Sequence, residues 1–384
     1  MPLPSSRLLL MSRVIPGVTV TLSRGWLVVA LCLGGCGGGG GDEDALTTPA
    51  NATPVNQTLV ANSTTGSLWR AVPPAAARTI LTLPGDAVSL LVQLEGSDAG
   101  NVTFSRLQNP AGSALNISHL ECYPGDRFCS LLVPQRSDMT VSGGNWTLDL
   151  AGWSAARNVT MHVTARSGSV ASTPVLPVKA WHASSSFSDA QIAQALQRMT
   201  AVYRANGMDV AINATVGNLT NARYRQVSSD FRNATTAELV SHGIPDAVNL
   251  FFIEDFSDSS GTLGIASAIP GSQGRAGGFN GVLLSLQAHT TGTSLDTDLL
   301  GETSAHETGH FLGLYHTSEF GGTVHDILDD TPRCTSSRTQ VSDCLSTDGA
   351  NLMFWTIPLP GSTVDQTVLT ADQVHVLGRA PLAR

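Results

Sequence analysis

The stretch from His306 to His316 has the residue types and spacing for metal chemistry: His306-Glu307-Thr308-Gly309-His310-Phe311-Leu312-Gly313-Leu314-Tyr315-His316. Two histidines four apart lie on one helix face, with Cβ atoms roughly 5–6 Å apart. Their imidazoles can meet on one ion at about 2.0–2.1 Å, the zinc–nitrogen distance. Glu307 sits one step around the helix, within reach of a water at the ion without being a ligand. Gly313 tolerates positive φ, so the chain can leave the helix sharply and return His316 as a third ligand. Three neutral imidazoles leave a fourth position open, the arrangement of a catalytic rather than a structural zinc. The five fixed positions of H-E-x-x-H-x-x-G-x-x-H arise by chance on the order of 10⁻⁵ times in this composition, so incidental histidines on an amphipathic helix account for them poorly.

The elements that would carry these residues can be read upstream. The active-site helix is expected from about Asp296 to Leu314. Val178-Lys179-Ala180-Trp181 reads as a strand, and Ser188 with Gln191 as the capping box of a helix through Tyr203 that ends at Asn206-Gly207. Met208 to Val216 reads as a returning strand, and the apolar run Val248 to Glu254 as a buried central one. A Gly/Ser-rich stretch from Ser257 to Gly281 leads to Val282–Leu286, another strand.

The zinc-binding stretch resembles the consensus of the metzincin metalloproteases. Asn351-Leu352-Met353 looks like their Met-turn, with Met353 as an apolar floor under the ligands. Asp329-Asp330-Thr331-Pro332 and Thr370-x-x-Gln373 resemble the pappalysin (cytophagalysin-like) branch. The resemblance covers about 178–384. It implies an α+β catalytic domain over 176–384, a twisted mixed sheet with an active-site helix and a Met-turn. It also implies a zinc-dependent endopeptidase with His306, His310 and His316 as ligands and Glu307 as general base. By the same resemblance, Val282–Leu286 suits the edge strand above the metzincin cleft, where an extended peptide could pair. Trp355 departs from the branch, which commonly has Tyr at that position; an indole N–H can only donate, and from a different place.

Residues 66–168 show short alternating runs between turns such as Pro84-Gly85-Asp86 and Gly143-Gly144, the pattern of an all-β sandwich accessory domain. Cys122-Tyr123-Pro124-Gly125-Asp126 loosely resembles the switch segments that keep some metzincins latent, although Pro-Gly-Asp alone is a turn. The acidic loop after His316 offers Asp326, Asp329 and Asp330 as hard oxygen ligands, so Ca²⁺ is a second candidate metal beside Zn²⁺; a solvated acidic loop is the plainer reading.

The N-terminus reads as an export signal over 1–35. Arg7, Arg13 and Arg24 precede a short apolar run, and Leu33-Gly34-Gly35-Cys36 resembles the bacterial lipobox, with Cys36 the acylated residue. A lipid anchor in a bacterial cell envelope follows, at the outer membrane by the Gly after Cys36, with a flexible tether over 36–65. Cys122/Cys129 and Cys334/Cys344 form two pairs close in sequence, as expected for local disulfides in an oxidising compartment. The net charge of −9 and scattered basic residues argue against a nucleic-acid partner. The expected partner is a protein or peptide substrate, and the expected state a monomer. Two alternatives stay open: a surface adhesin that keeps the fold without useful turnover, and a zinc hydrolase acting on a non-peptide amide.

Overall fold

The computed structural model describes residues 52–61, 67–74, 76–117, 122–213, 215–319, 324–334, 341–356 and 364–384. The expected signal peptide, Cys36 and the start of the tether lie outside the described residues. The chain is a mixed α/β protein with several sheets.

Among the described residues, the first unit contains nine strands: β1 (Val55–Thr58), β2 (Val60–Ala61), β3 (Leu68–Ala71), β4 (Arg78–Leu83), β5 (Ala87–Glu95), β6 (Thr103–Gln108), β7 (Phe128–Val133), β8 (Gly144–Ala151) and β9 (Thr160–Ser167). They form two sheets, ordered β1-β4-β8-β6 and β2-β3-β9-β5-β7. One apolar cluster draws on both, from Leu81, Trp146 and Leu148 to Leu90, Val92, Leu131 and Val163. Strand β4 alternates in burial, as a sheet with one wet face requires. Strand β7 is buried at every position. The reason lies across the molecule: Leu91 and Leu132 belong to the apolar cluster of the second unit, so this sheet is covered on both faces.

Three expectations need correction here. Residues Val55–Thr58 lie in the stretch read as tether, yet they pair in parallel with β4. Asn101-Val102-Thr103-Phe104, one of the alternating runs expected as strands, is strand only from Thr103, after a 3₁₀ turn, and continues to Gln108. Strand β7 was hidden to pattern reading because Phe-Cys-Ser-Leu-Leu-Val has no alternation.

The second unit is built on the sheet order β11-β10-β14-β17-β16, from β10 (Val175–His182), β11 (Asp209–Ile212), β14 (Val248–Ile253), β16 (Gly264–Ala266) and β17 (Val282–Ser285). Of the strand expected from Met208 to Val216, only Asp209–Ile212 forms among the described residues; short β12 (Gly217–Asn218), just beyond it, also pairs with β10. Two small pairs, β13 (Gln226–Val227) with β15 (Asp255–Phe256) and β18 (Thr290–Thr291) with β19 (Ser294–Leu295), lie outside this sheet. Strands β10, β14 and β17 run parallel, and β14 is buried throughout. Val282–Ser285 is therefore interior and not the edge. The edge strand is β16, antiparallel to β17 and drawn from the Gly/Ser-rich stretch read as a connection.

Helix α1 (Asp189–Ala205) starts at Ser188 with the expected capping box. It packs on α3 (Thr297–Leu312), where a Cβ on Gly301 would come within 2.5 Å of the Ala195 carbonyl oxygen. Tyr203, fully buried in α1, donates its hydroxyl to the Ala305 carbonyl at 2.9 Å. Helices α2 (Ala234–Val240), α4 (Val341–Cys344) and α5 (Ala371–Arg379) also belong to the unit. Among the described residues, no helix is long and apolar enough to cross a membrane.

Candidate metal centre and active site

Helix α3 is capped by Asp296, whose carboxylate accepts from the Leu299 N–H at 3.0 Å. It ends at Gly313, which has φ 115° and is in the left-handed region that favours glycine. Leu314 N then donates to Gly309 O at 2.9 Å, fixing the exit that carries the chain to His316.

The three histidines converge. His310 Nε2 lies 3.0 Å from His316 Nε2, which lies 3.3 Å from His306 Nε2. Four ligands placed tetrahedrally at the zinc–nitrogen distance are about 3.3 Å apart, so this spacing suits one zinc ion. The far side of each ring fixes the tautomer. His306 Nδ1 donates to Leu352 O at 2.6 Å and His310 Nδ1 donates to Leu314 O at 2.7 Å, because a carbonyl can only accept. His316 Nδ1 lies 3.0 Å from Glu319 Oε1, the arrangement in which a carboxylate orients a ligating imidazole. The Nε2 lone pairs of His306 and His310 therefore point inward, with repulsion that a cation relieves. Burial, and then the neighbouring imidazoles, hold both rings neutral: His306 is lowered to about 3 and His310 falls well below its usual value. Neutral imidazole is the form a metal needs.

Glu307 is fully enclosed beside this cluster, and burial pushes its carboxyl up to about 8. Its Oε2 accepts the Ala266 N–H at 2.9 Å, which pulls the other way. Edge strand β16 thus holds the carboxylate. It can approach so closely because Gly264 has no side chain: a Cβ there would lie 2.8 Å from Glu307 Cγ.

Met353 is buried beneath the helix, and a Cβ on Gly309 would lie 2.6 Å from its sulfur. Asn351 Oδ1 accepts the Met353 N–H at 2.8 Å and the Gln373 amide at 3.1 Å. Gln373 also closes the capping box with Thr370 at the start of α5. Thr370-x-x-Gln373 is therefore tied to the turn that carries Met353. Trp355 packs with Phe354 against Cys334 and Cys344 in a small buried cluster.

Both expected disulfides form, Cys122–Cys129 and Cys334–Cys344. Cys334, Cys344 and Asp348 also lie together, but the two sulfurs are bonded to each other and offer no thiolate. The latency reading fails on the same ground: the Cys122 sulfur is committed, and Asp126 accepts the Tyr123 N–H at 2.8 Å within the turn.

The three aspartates proposed for Ca²⁺ do not assemble among the described residues. Asp326 Oδ1 accepts from Thr331 Oγ1 at 2.6 Å and from Leu328 N at 3.2 Å. Asp329 is exposed beside Arg333, and Asp330 Oδ2 accepts from Asp372 N at 2.9 Å, in the first turn of α5. Each carboxylate has a separate local partner, so the charge run does not converge as a metal cage must. Sequence reasoning missed Glu319, Gly309 and Ala266. Glu319 and Gly309 lie at or near the motif, but Ala266 gave no signal, since its contribution is a backbone N–H.

No protein-family model matches the chain. It is 29% identical over 151 residues to a protein of Pyricularia oryzae named "Extracellular metalloprotease"; the match covers 39% of this chain and 51% of that protein. The match thus spans about half the length of that relative.

Proposed function

We propose that this protein is a secreted zinc-dependent endopeptidase. The observation that carries the reading is the convergence of three Nε2 atoms beside a buried Glu307 held by the edge strand. The likeness to a protein named an extracellular metalloprotease supports it. Helix α3, its glycine exit and the buried Met353 support a metzincin reading of the second unit, in the pappalysin-like branch. The two sheets sharing one core support a sandwich reading of the first unit. The leader and Cys36 support a lipid-anchored, envelope-facing location.

When bound, zinc supplies Lewis acidity, which activates water and polarises a carbonyl. His306, His310 and His316 would hold it, each through Nε2. Glu307 takes a proton from the attacking water and passes it to the leaving amine. Its Oε2 is occupied by the Ala266 N–H, while Oε1 has no hydrogen-bond partner among the described residues and serves as the proton acceptor. A carboxyl raised by burial is a stronger base than a free one, and a nearby cation moderates that rise.

The test is a peptide-library digest by the purified chain, with and without a zinc chelator, beside elemental analysis. Wild type should carry about one zinc per chain and cleave peptides only when loaded. A zinc-free wild type, prepared without chelator, would sink the reading.

A further inference from the structure

The first unit touches the second at the end of the metal-binding helix. The outer face of β5 and β7 presents Gln93, Ser130 and Leu132, all buried. Opposite them runs the strap Ile269-Pro270-Gly271-Ser272-Gln273. Ser130 Oγ donates to Pro270 O at 2.5 Å and Gln93 Nε2 donates to Gly271 O at 3.2 Å. The strap's other contacts go to the helix. Gly271 N donates to Phe311 O at 2.9 Å, and Gln273 Nε2 to the same oxygen at 3.2 Å. Phe311 O is one of the last helix carbonyls, which lack an intrahelical partner. Tyr315, one residue before the third histidine, donates its hydroxyl to Ile269 O at 3.2 Å. Leu132 reaches the exit turn itself: a Cβ on Gly313 would lie 2.8 Å from Leu132 Cδ2.

We propose that Gln93, Ser130 and Leu132 form a positioning brace for the metal centre, so that the first unit belongs to the working site. His310 and His316 stand on either side of the Gly313 turn, and their Nε2 atoms must stay about 3.3 Å apart to share one ion. A helix exit free to splay would open that spacing. The strap satisfies the orphan carbonyl and blocks the splay, and the strap is itself held by the first unit from behind. Glycine at 271 lets the strap lie flat on the helix: a Cβ there would sit 2.2 Å from the Phe311 ring. The brace rests on the reading of His306, His310 and His316 as a zinc site.

The experiment uses the full chain loaded with zinc and follows its release into a chromogenic chelator. Gln93→Leu combined with Ser130→Ala removes both donors to the strap. Release should become about tenfold faster, the scale on which outer-shell supports act on metal affinity. Amide exchange should rise at residues 312–316. A mere docking interface would behave differently: exchange would rise along β5 and β7 and the unfolding midpoint would fall, while zinc release kept its wild-type rate. That result overturns the brace, as does a double variant unchanged in both measurements. Should the double variant fail to fold, Ser130→Ala alone decides by the same two measurements. A wild type that binds no zinc refutes the metal reading itself and is recognised before any variant is compared.

Discussion

Two parts of this chain offer metal-ligand side chains, and they behave in opposite ways. His306, His310 and His316 meet within 3.0 and 3.3 Å between Nε2 atoms. Asp326, Asp329 and Asp330, ten to fourteen residues further on, turn to a threonine hydroxyl, an arginine and a helix N-terminus. Both sets contain good ligands, so side-chain chemistry does not separate them. Geometry does. Helical spacing and a glycine exit impose one direction on the imidazoles, whereas nothing periodic aligns the loop carboxylates. Like charges without a cation also repel, so loop carboxylates find separate donors.

The largest expected effect tests the first set. His306→Ala or His310→Ala should abolish zinc binding, read by elemental analysis, and with it all hydrolysis. Glu307→Gln should keep zinc and lose about 10²- to 10⁴-fold in kcat, since it removes a proton acceptor and no ligand. Equal kcat in that variant refutes the assignment. Glu319→Ala should weaken zinc by about 10- to 100-fold in a competition titration, because His316 Nδ1 loses the carboxylate that orients it. An unchanged affinity would show that contact to be incidental.

Acidification gives a subtler contrast. His306 titrates at about 3 in the folded chain against 6.5 when free, and His310 moves the same way. The folded state therefore binds fewer protons in that window. The two rings contribute stability to the metal-free chain that is present above pH 6.5 and lost as pH falls through the window, opposite in sign to the contribution of Glu307, whose carboxyl is raised to about 8. Thermal melts of metal-free wild type and His306→Ala would show it, the variant having the shallower slope; identical slopes count against the buried neutral ring.

The smallest effects belong to the aspartates. Asp326→Ala should cost about 1–3 kcal/mol, because it strands the Leu328 N–H and leaves the Thr331 hydroxyl only its longer bond to Leu328 O at 3.2 Å. Asp329→Ala should change stability by less than about 0.5 kcal/mol, and added Ca²⁺ should not raise the unfolding midpoint. A calcium-dependent rise abolished by Asp329→Ala would restore the loop as a metal site.

What the sequence alone determined is local. Helix periodicity put His306 and His310 on one face, Gly313 had the freedom the exit needs, and Cys122 and Cys334 each had a partner seven or ten residues away. Such features depend on residues close in sequence, whose geometry the backbone limits to a few choices. Tertiary structure decided the rest. Ala266 meets Glu307 from 41 residues away through a backbone N–H, a group every non-proline residue carries and no pattern marks. The edge strand could not be told from the interior one, since Val282–Ser285 and Gly264–Ala266 are both short and buried, and position in a sheet depends on neighbours. The second buried face of β5 and β7 was equally hidden: nothing in their own segments marks it, and the groups that cover it at Pro270, Gly271 and Gly313 lie more than a hundred residues downstream.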